Sequence, residues 1–307
     1  MPHEQWVKWG LVKQGTLWTL DKAVYGLRES TALWSAERDK QFLLAEWSVG
    51  TKNFFLRRCP SDSQVWILSE KCTESESSVL GIMVVYVDDF LLQTDLGPMR
   101  NAFLAALGKV WTLDKEQTLE VGIPLTFLGI EMDMKANGDV LLHQRKFVEM
   151  LLEKYGMSRS KGNSSVQIEK LPDTENPPTA VVLKTLQTHS GEFNWLATRT
   201  RFDLSYYTSL IASACTKHAN WCLDLCQKVL RFLCFNIGQG ILISCTGDLL
   251  DLVAWSDAGY AGSDTKSQSG LVIAWGGSII TWRSSKQTVS TLSTAEAELN
   301  GGTLAWQ

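Results

Sequence analysis

The chain has 307 residues, 45% of them hydrophobic and 20% charged; this is enough apolar material for about two domains and excludes a disordered chain. Twenty-nine basic residues against thirty-three acidic ones leave a net charge of −4, so no strong basic field advertises a polyanion partner and any nucleic-acid reading must rest on motifs. The apolar run Val79–Val87 is far shorter than the roughly 20 residues that span a bilayer, and Met1–Trp6 has neither a basic nor an apolar leader-like region; the expectation is an intracellular chain with no membrane partner and free cysteine thiols.

In chain order, residues 31–48 lack Gly and Pro, are rich in helix formers and predict a helix. Short runs at Gln64–Leu68 and Val79–Val87 predict strands. The second run resumes after Asp88-Asp89 as Phe90-Leu91-Leu92, which reads as a buried β-hairpin with both aspartates in its turn. Phe127–Met132 alternates weakly, and Asn137-Gly138 is a hairpin turn leading into Val140-Leu141-Leu142. Phe147, Met150, Leu151, Lys154 and Tyr155 are spaced for a helix that Gly156 closes in the left-handed region.

Residues 157–180, with Pro172, Pro177 and Pro178, read as a linker or long loop. Two helical segments over 190–235 follow, with Leu225, Val229 and Phe232 on one face. His218, Cys222 and Cys226 share an i, i+4, i+8 face; the spacing admits a metal, but small thiols filling a core is the expected use. From Leu249 the pattern is a strand (Leu252–Ser256), a turn, a hairpin (Gly270–Ala274 with Ser278–Arg283) and a helix near Ser293, where Ser293 and Glu296 have capping-box spacing. The tryptophans Trp255, Trp275, Trp282 and Trp306 are expected to pack in a core rather than stack on bases.

Two adjacent carboxylates at the tip of an apolar hairpin repel each other unless a divalent cation neutralises them, and Mg²⁺ favours such oxygen donors. An exposed Asp-Asp turn is the plainer reading of that dipeptide by itself. The flanking residues change the weighting: Tyr86-Val87-Asp88-Asp89 resembles the Tyr-x-Asp-Asp box of reverse transcriptases. Further segments, in the same order, resemble the Pol polyprotein of copia-type retrotransposons with long terminal repeats. They are Lys22–Arg28, Phe127–Glu131, the helix ending Lys154-Tyr155-Gly156-Met157, Trp195–Leu204, Val229–Leu233, Ala254–Ala258 and Ser290–Glu298.

The resemblance implies an α+β fold with three parts. Residues 1–157 would be a partial reverse-transcriptase palm and thumb, 158–247 a linker and helical connector, and 248–307 an incomplete ribonuclease H-like β-β-β-α unit. It implies an RNA-directed DNA polymerase fragment working by two-metal phosphoryl transfer. Asp88 and Asp89 would bind Mg²⁺, and Asp257 with Glu298 would be the ribonuclease H-type metal ligands. Tyr86, Tyr25, Gly26, Arg28, Phe127, Leu128 and Gly129 would contact nucleic acid, the last three as a primer grip. The implied partners are an RNA template with a DNA primer, an RNA–DNA hybrid, and other Pol copies.

The chain departs from that pattern in several places. Glu29 stands where the family usually has Gln, and Thr31 where Pro is common. The upstream metal-binding Asp of the palm is not matched, Asp21 having neither its motif nor its strand, and the later ribonuclease H carboxylates are not matched either. The expectation is therefore a truncated chain without turnover, a non-catalytic nucleic-acid binder or a domesticated scaffold being the alternative. Glu296 and Glu298 lie about 200° apart on a helix, so only one of them faces Asp257; the apolar residues Leu292, Ala295 and Leu299 sit between them, and the family pattern favours Glu298, leaving Glu296 to the cap.

Overall fold

The computed structural model describes all residues except 1–3, 14, 16–23, 25, 72–77, 96, 174–176, 262–265 and 306–307. It is mixed α and β, compatible with the α+β expectation, and divides into two compact units, residues 1–116 and 117–307. That division falls inside the segment assigned by resemblance to palm and thumb.

The first unit contains α1 (Glu4–Lys8), α2 (Ser30–Leu44), strands β1 (Glu46–Val49), β2 (Lys52–Arg58), β3 (Val65–Glu70), β4 (Val79–Tyr86) and β5 (Asp89–Thr94), and α3 (Pro98–Leu107). The strands form a five-stranded antiparallel meander in chain order. Alternation decides which face is buried: on β4, Gly81, Met83 and Val85 point inward while Ile82 and Tyr86 are exposed. The hairpin is thus buried on one face only, where the sequence suggested a wholly buried pair.

The apolar face is covered by the two longer helices. Phe42 of α2 and Phe103 and Leu107 of α3 join Trp47, Phe54, Trp66, Leu68, Met83 and Val85 in one core. Phe42 meets Trp66, Phe90 and Trp111 edge-on, at 5.0, 5.5 and 5.5 Å between ring centroids, the arrangement that aromatic quadrupoles favour. Trp34, Arg38 and Phe42 recur every four residues, so one stripe of α2 addresses the β4–β5 hairpin.

The second unit begins with β6 (Leu125–Phe127), β7 (Ile130–Met134), β8 (Val140–His143) and α4 (Arg145–Lys154). Gly138 adopts φ +91° in the β7–β8 turn, as the Asn-Gly signal requires. Helix α4 closes as expected: Gly156 has φ +66°, its N–H donates to the Glu153 carbonyl, and the Met157 N–H donates to that of Leu152 at 2.7 Å.

Helices α5 (Ala180–Ala197), α6 (Ser205–Ala214) and α7 (Ala219–Phe235) pack with α4 around Leu151, Leu186, Phe193, Leu196, Leu225 and Val229. The described stretch 157–173 is no free linker. It runs along α7, where Asn163 N–H donates to the Arg231 carbonyl, Trp221 Nε1 donates to the Glu169 carbonyl and Lys228 pairs with Glu169. After α7, β9 (Gly240–Ile243) returns to pair with β8, completing a four-stranded sheet.

Strands β10 (Leu252–Gly259), β11 (Gln268–Trp275) and β12 (Ser278–Lys286) form an antiparallel sheet, followed by α8 (Thr294–Leu304). The strand, hairpin and helix appear in the order read from the sequence. Of the tryptophans in this sheet, Trp282 is packed, donating from Nε1 to the Ala197 carbonyl at 2.6 Å beside Phe202. Trp255 and Trp275 are about half exposed, at 55% and 48%, so the core assignment does not hold for them, and Trp306 lies outside the described residues. No helix among the described residues is long and apolar enough to cross a membrane.

Candidate functional site

The Asp88–Asp89 pair sits where the hairpin places it. Tyr86 pairs with Asp89, leaving Val87 and Asp88 as a two-residue turn between β4 and β5. Tyr86, Val87, Asp88 and Asp89 are all exposed. Tight hairpin turns of this length need positive φ at their first central residue, and here that residue is Val87, at φ +54°. A β-branched side chain in the left-handed region is a genuine outlier, costing about 1–2 kcal/mol.

The Val87 carbonyl receives two hydrogen bonds from α2. Trp34 Nε1 donates at 2.9 Å and Arg38 Nη1 at 3.0 Å. Arg38 is 1% exposed, a position that a guanidinium occupies only when paired. Its Nε and Nη2 donate to Asp39 Oδ1 at 3.0 and 2.7 Å. The other oxygen of Asp39 pairs with Arg58, whose Nε donates to the Ser63 carbonyl and whose guanidinium lies over the Trp66 ring.

The Phe127–Glu131 segment forms a second tight hairpin. Phe127 pairs with Ile130, and the turn residues Leu128 and Gly129 have φ +53° and +77°, the double-positive geometry of a type I′ turn. A side chain at Gly129 would meet Trp195 Cζ2 at 3.5 Å, and that tryptophan carries the Arg199 guanidinium 4.9 Å from its ring centroid. Among the described residues, Val87 and Leu128 are the non-glycine residues with positive φ. Both fall in motifs singled out from sequence.

Glu131, at the end of that segment, serves the fold. It is buried, accepts from the Lys146 N–H at 2.8 Å and so neutralises a free amide in the first turn of α4. His143 lies between Glu131 and Asp133, with Nε2 3.0 Å from Asp133 Oδ2 and Nδ1 accepting from the Arg145 N–H.

Asp257 and Glu298 occupy neighbouring elements. Ala258 meets α8, its Cβ 3.2 Å from where a Gly301 side chain would begin. Asp257 is exposed, and strand alternation sends its side chain off the face opposite Ala258. Glu298 is exposed one turn before Gly301, while the Glu296 carboxylate accepts from the Leu292 N–H at 2.7 Å and its N–H donates to Ser293 Oγ. Glu296 is therefore committed to the cap. The stripe of α8 that packs is Ala297 and Gly301, both buried, whereas Leu292 and Leu299, the apolar face suggested by sequence, are exposed.

Gly26 and Arg28 are exposed in the turn before α2, and Tyr25 lies outside the described residues, as do Lys22, Ala23 and Asp21. Cys222 and Cys226 are fully buried in the helical core; burial pushes the Cys226 thiol well above its ordinary range, as for a protonated space-filler. Among the described residues no cluster of three or more His, Cys, Asp or Glu side chains is arranged to hold a metal.

Comparison with known proteins finds distant relatives. The chain is 26% identical over 287 residues to the retrovirus-related Pol polyprotein from transposon RE1 of Arabidopsis thaliana, a match covering 91% of this chain and 18% of that protein. The corresponding polyprotein from transposon RE2 of the same plant is 29% identical over 291 residues, with the same coverages. An uncharacterized mitochondrial protein of Arabidopsis thaliana is 27% identical over 240 residues, covering 73% of this chain and 93% of its own length. Its polyprotein homologues are thus retrovirus-related Pol polyproteins of copia-type transposons, and the chain spans about a fifth of their length. No family model and no solved structure matches it.

Proposed function

We propose that the chain is a polymerase-derived segment of a retrotransposon Pol polyprotein. Its first unit carries a reverse-transcriptase-type turn, and its β10–β12 sheet with α8 is of ribonuclease H type. The observation that carries this reading is the Tyr86–Asp89 turn, in which two exposed, adjacent carboxylates are presented by a strained hairpin. Strain of this kind persists where surrounding structure over-determines it, and it concentrates at functional sites.

In this reading Asp88 and Asp89 hold Mg²⁺, which fits a donor set of carboxylate oxygens open to solvent. The ion, when bound, supplies charge neutralisation and polarisation of a phosphoryl oxygen. Tyr86 flanks the pair, and the Leu128–Gly129 turn with Phe127 contacts the primer strand of an RNA–DNA hybrid. Gly26 and Arg28, together with Tyr25, are the residues that resemblance assigns to the template and incoming nucleotide. Asp257 and Glu298 are ribonuclease H-type carboxylates by resemblance alone, since Asp257 leaves β10 on the face away from α8 and the two are not brought together; Glu296 serves the cap. The chain supplies two carboxylates at the turn, so binding is the activity expected of it and turnover is what the test measures.

The test is fluorescence anisotropy of a labelled RNA–DNA hybrid across a salt series, run beside Mg²⁺-dependent primer extension by the same chain and by Asp89→Asn. Binding that weakens steeply with salt is expected. No binding at about 50 mM salt would overturn the nucleic-acid reading. Extension by the unmutated chain alone would make the turn catalytic in this chain.

A further inference from the structure

Among the described residues, the Val87 carbonyl is the atom of the carboxylate-bearing turn that α2 grips. It accepts from Trp34 Nε1 at 2.9 Å and from Arg38 Nη1 at 3.0 Å. A turn carbonyl at an exposed hairpin tip has water to satisfy it, so two protein donors, one permanently charged, exceed what hydrogen-bond accounting requires. The donors come from positions i and i+4 of a single helix, hence from one face of α2. Arg38 is itself fixed, because Asp39 takes its Nε and Nη2 and is held in turn by Arg58. A rigid chain of contacts therefore runs from the buried Trp66, under the Arg58 guanidinium, to the peptide that joins Val87 to Asp88.

The conformation held there is one that valine resists. At φ +54° the turn would relax unless something outside it fixed the peptide. Holding the carbonyl fixes the orientation of the following peptide plane, and with it the direction in which Asp88 and Asp89 leave the backbone. We infer that Trp34 and Arg38 are positioning residues for the Asp88–Asp89 pair: they hold the Val87 carbonyl so that both carboxylates are pre-aimed at one divalent cation. The identity of what the pair holds rests on the function proposed above; the clamp itself rests on the geometry.

Mn²⁺ is the probe, titrated into the full 307-residue chain and followed by electron paramagnetic resonance, with urea unfolding of each variant as the fold control. The unmutated chain is expected to bind, and Asp88→Asn/Asp89→Asn to lose that binding. Trp34→Phe keeps the ring and removes the donor, and is expected to weaken Mn²⁺ binding about two- to tenfold, the range of one lost hydrogen bond. Arg38→Lys, which cannot bridge Asp39 and the carbonyl together, is expected to weaken it in the same direction.

Adding Val87→Gly to Trp34→Phe is expected to restore most of the loss, because glycine occupies positive φ unaided. A residue that merely packed would show no such rescue. Unchanged Mn²⁺ affinity in folded Trp34→Phe and Arg38→Lys overturns the inference while leaving the metal-binding reading intact. No Mn²⁺ binding by the unmutated chain overturns that reading and the positioning role with it.

Discussion

The two strained hairpins solve one geometric problem with different supports. The β4–β5 turn places Val87 at φ +54° and anchors its carbonyl to the buried Arg38, which is held by Asp39 and through it by the exposed Arg58. The β6–β7 turn places Leu128 at φ +53°, follows it with Gly129 at φ +77°, and rests against the Trp195 ring of α5. The first is held by charge-assisted hydrogen bonds to the backbone, the second by a glycine and an aromatic surface. A turn held at its carbonyl can present neighbouring side chains in a fixed direction, which suits the role proposed for Asp88 and Asp89. A turn held by packing offers backbone and apolar surface, which suits contact with a strand of nucleic acid.

The sharpest way to separate the two is to change the second turn residue. Gly129→Val puts a β-branched side chain at φ +77° and against Trp195, and should destabilise the second unit by about 2 kcal/mol or more. Asp88→Val, at the matching position of the other turn, meets no positive φ and should leave stability within about 0.5 kcal/mol. Urea midpoints of the two variants decide it, and equal losses would mean that the turns are supported alike.

A smaller effect of opposite sign tests the stored strain itself. Asparagine tolerates the left-handed region and lacks glycine's extra freedom in the unfolded chain. Leu128→Asn creates an Asn-Gly turn and should stabilise the second unit by about 1 kcal/mol. Val87→Asn should stabilise the first by a similar or smaller amount, since the clamp already offsets part of the strain. A loss of stability in both would show that the side chains of Val87 and Leu128 contribute more by packing than they cost in backbone strain.

What was legible beforehand follows the range of the interactions. The Asn137-Gly138 hairpin, the Gly156 helix end and the Ser293–Glu296 cap are each decided within a few residues, and the structure has them where the sequence put them, whereas the β4–β5 turn falls one residue early, on Val87-Asp88, with Asp89 already paired to Tyr86 as the first residue of β5. The resemblance that singled out Tyr86–Asp89 and Phe127–Glu131 needed only contiguous residues too. The pairing of β9 with β8, across the whole helical cluster, carries no local signal. Nor does the role of Arg38: within a helix rich in polar residues it reads as one more surface charge, and only the fold brings Val87 over it. The packing stripe of α8 was misread because Leu292 and Leu299 are more apolar than Ala297 and Gly301. Close approach of α8 to β10 selects small residues there, as the 3.2 Å spacing between Ala258 and a Gly301 side chain makes plain.

The remaining prediction separates the supports by pH. Helix α5, which carries Trp195 behind the second turn, also buries His189 between Tyr155, at 4.3 Å, and Phe193. Burial holds the His189 pKa below its ordinary value, with Lys154 acting in the same direction and Glu192 opposing. The folded-state pKa therefore lies below the unfolded one, and on acidification the unfolded chain takes up the proton first. Stability present at pH 7 is lost as pH falls through the unfolded value near 6.5, and the loss ceases below the folded value. Urea unfolding between pH 7 and pH 5 should show the second unit weakening more in the unmutated chain than in His189→Phe, which keeps an aromatic ring against Tyr155 and has nothing to protonate. Parallel pH profiles for the two would assign the acid sensitivity to carboxylates elsewhere and leave the α5 platform firm in acid.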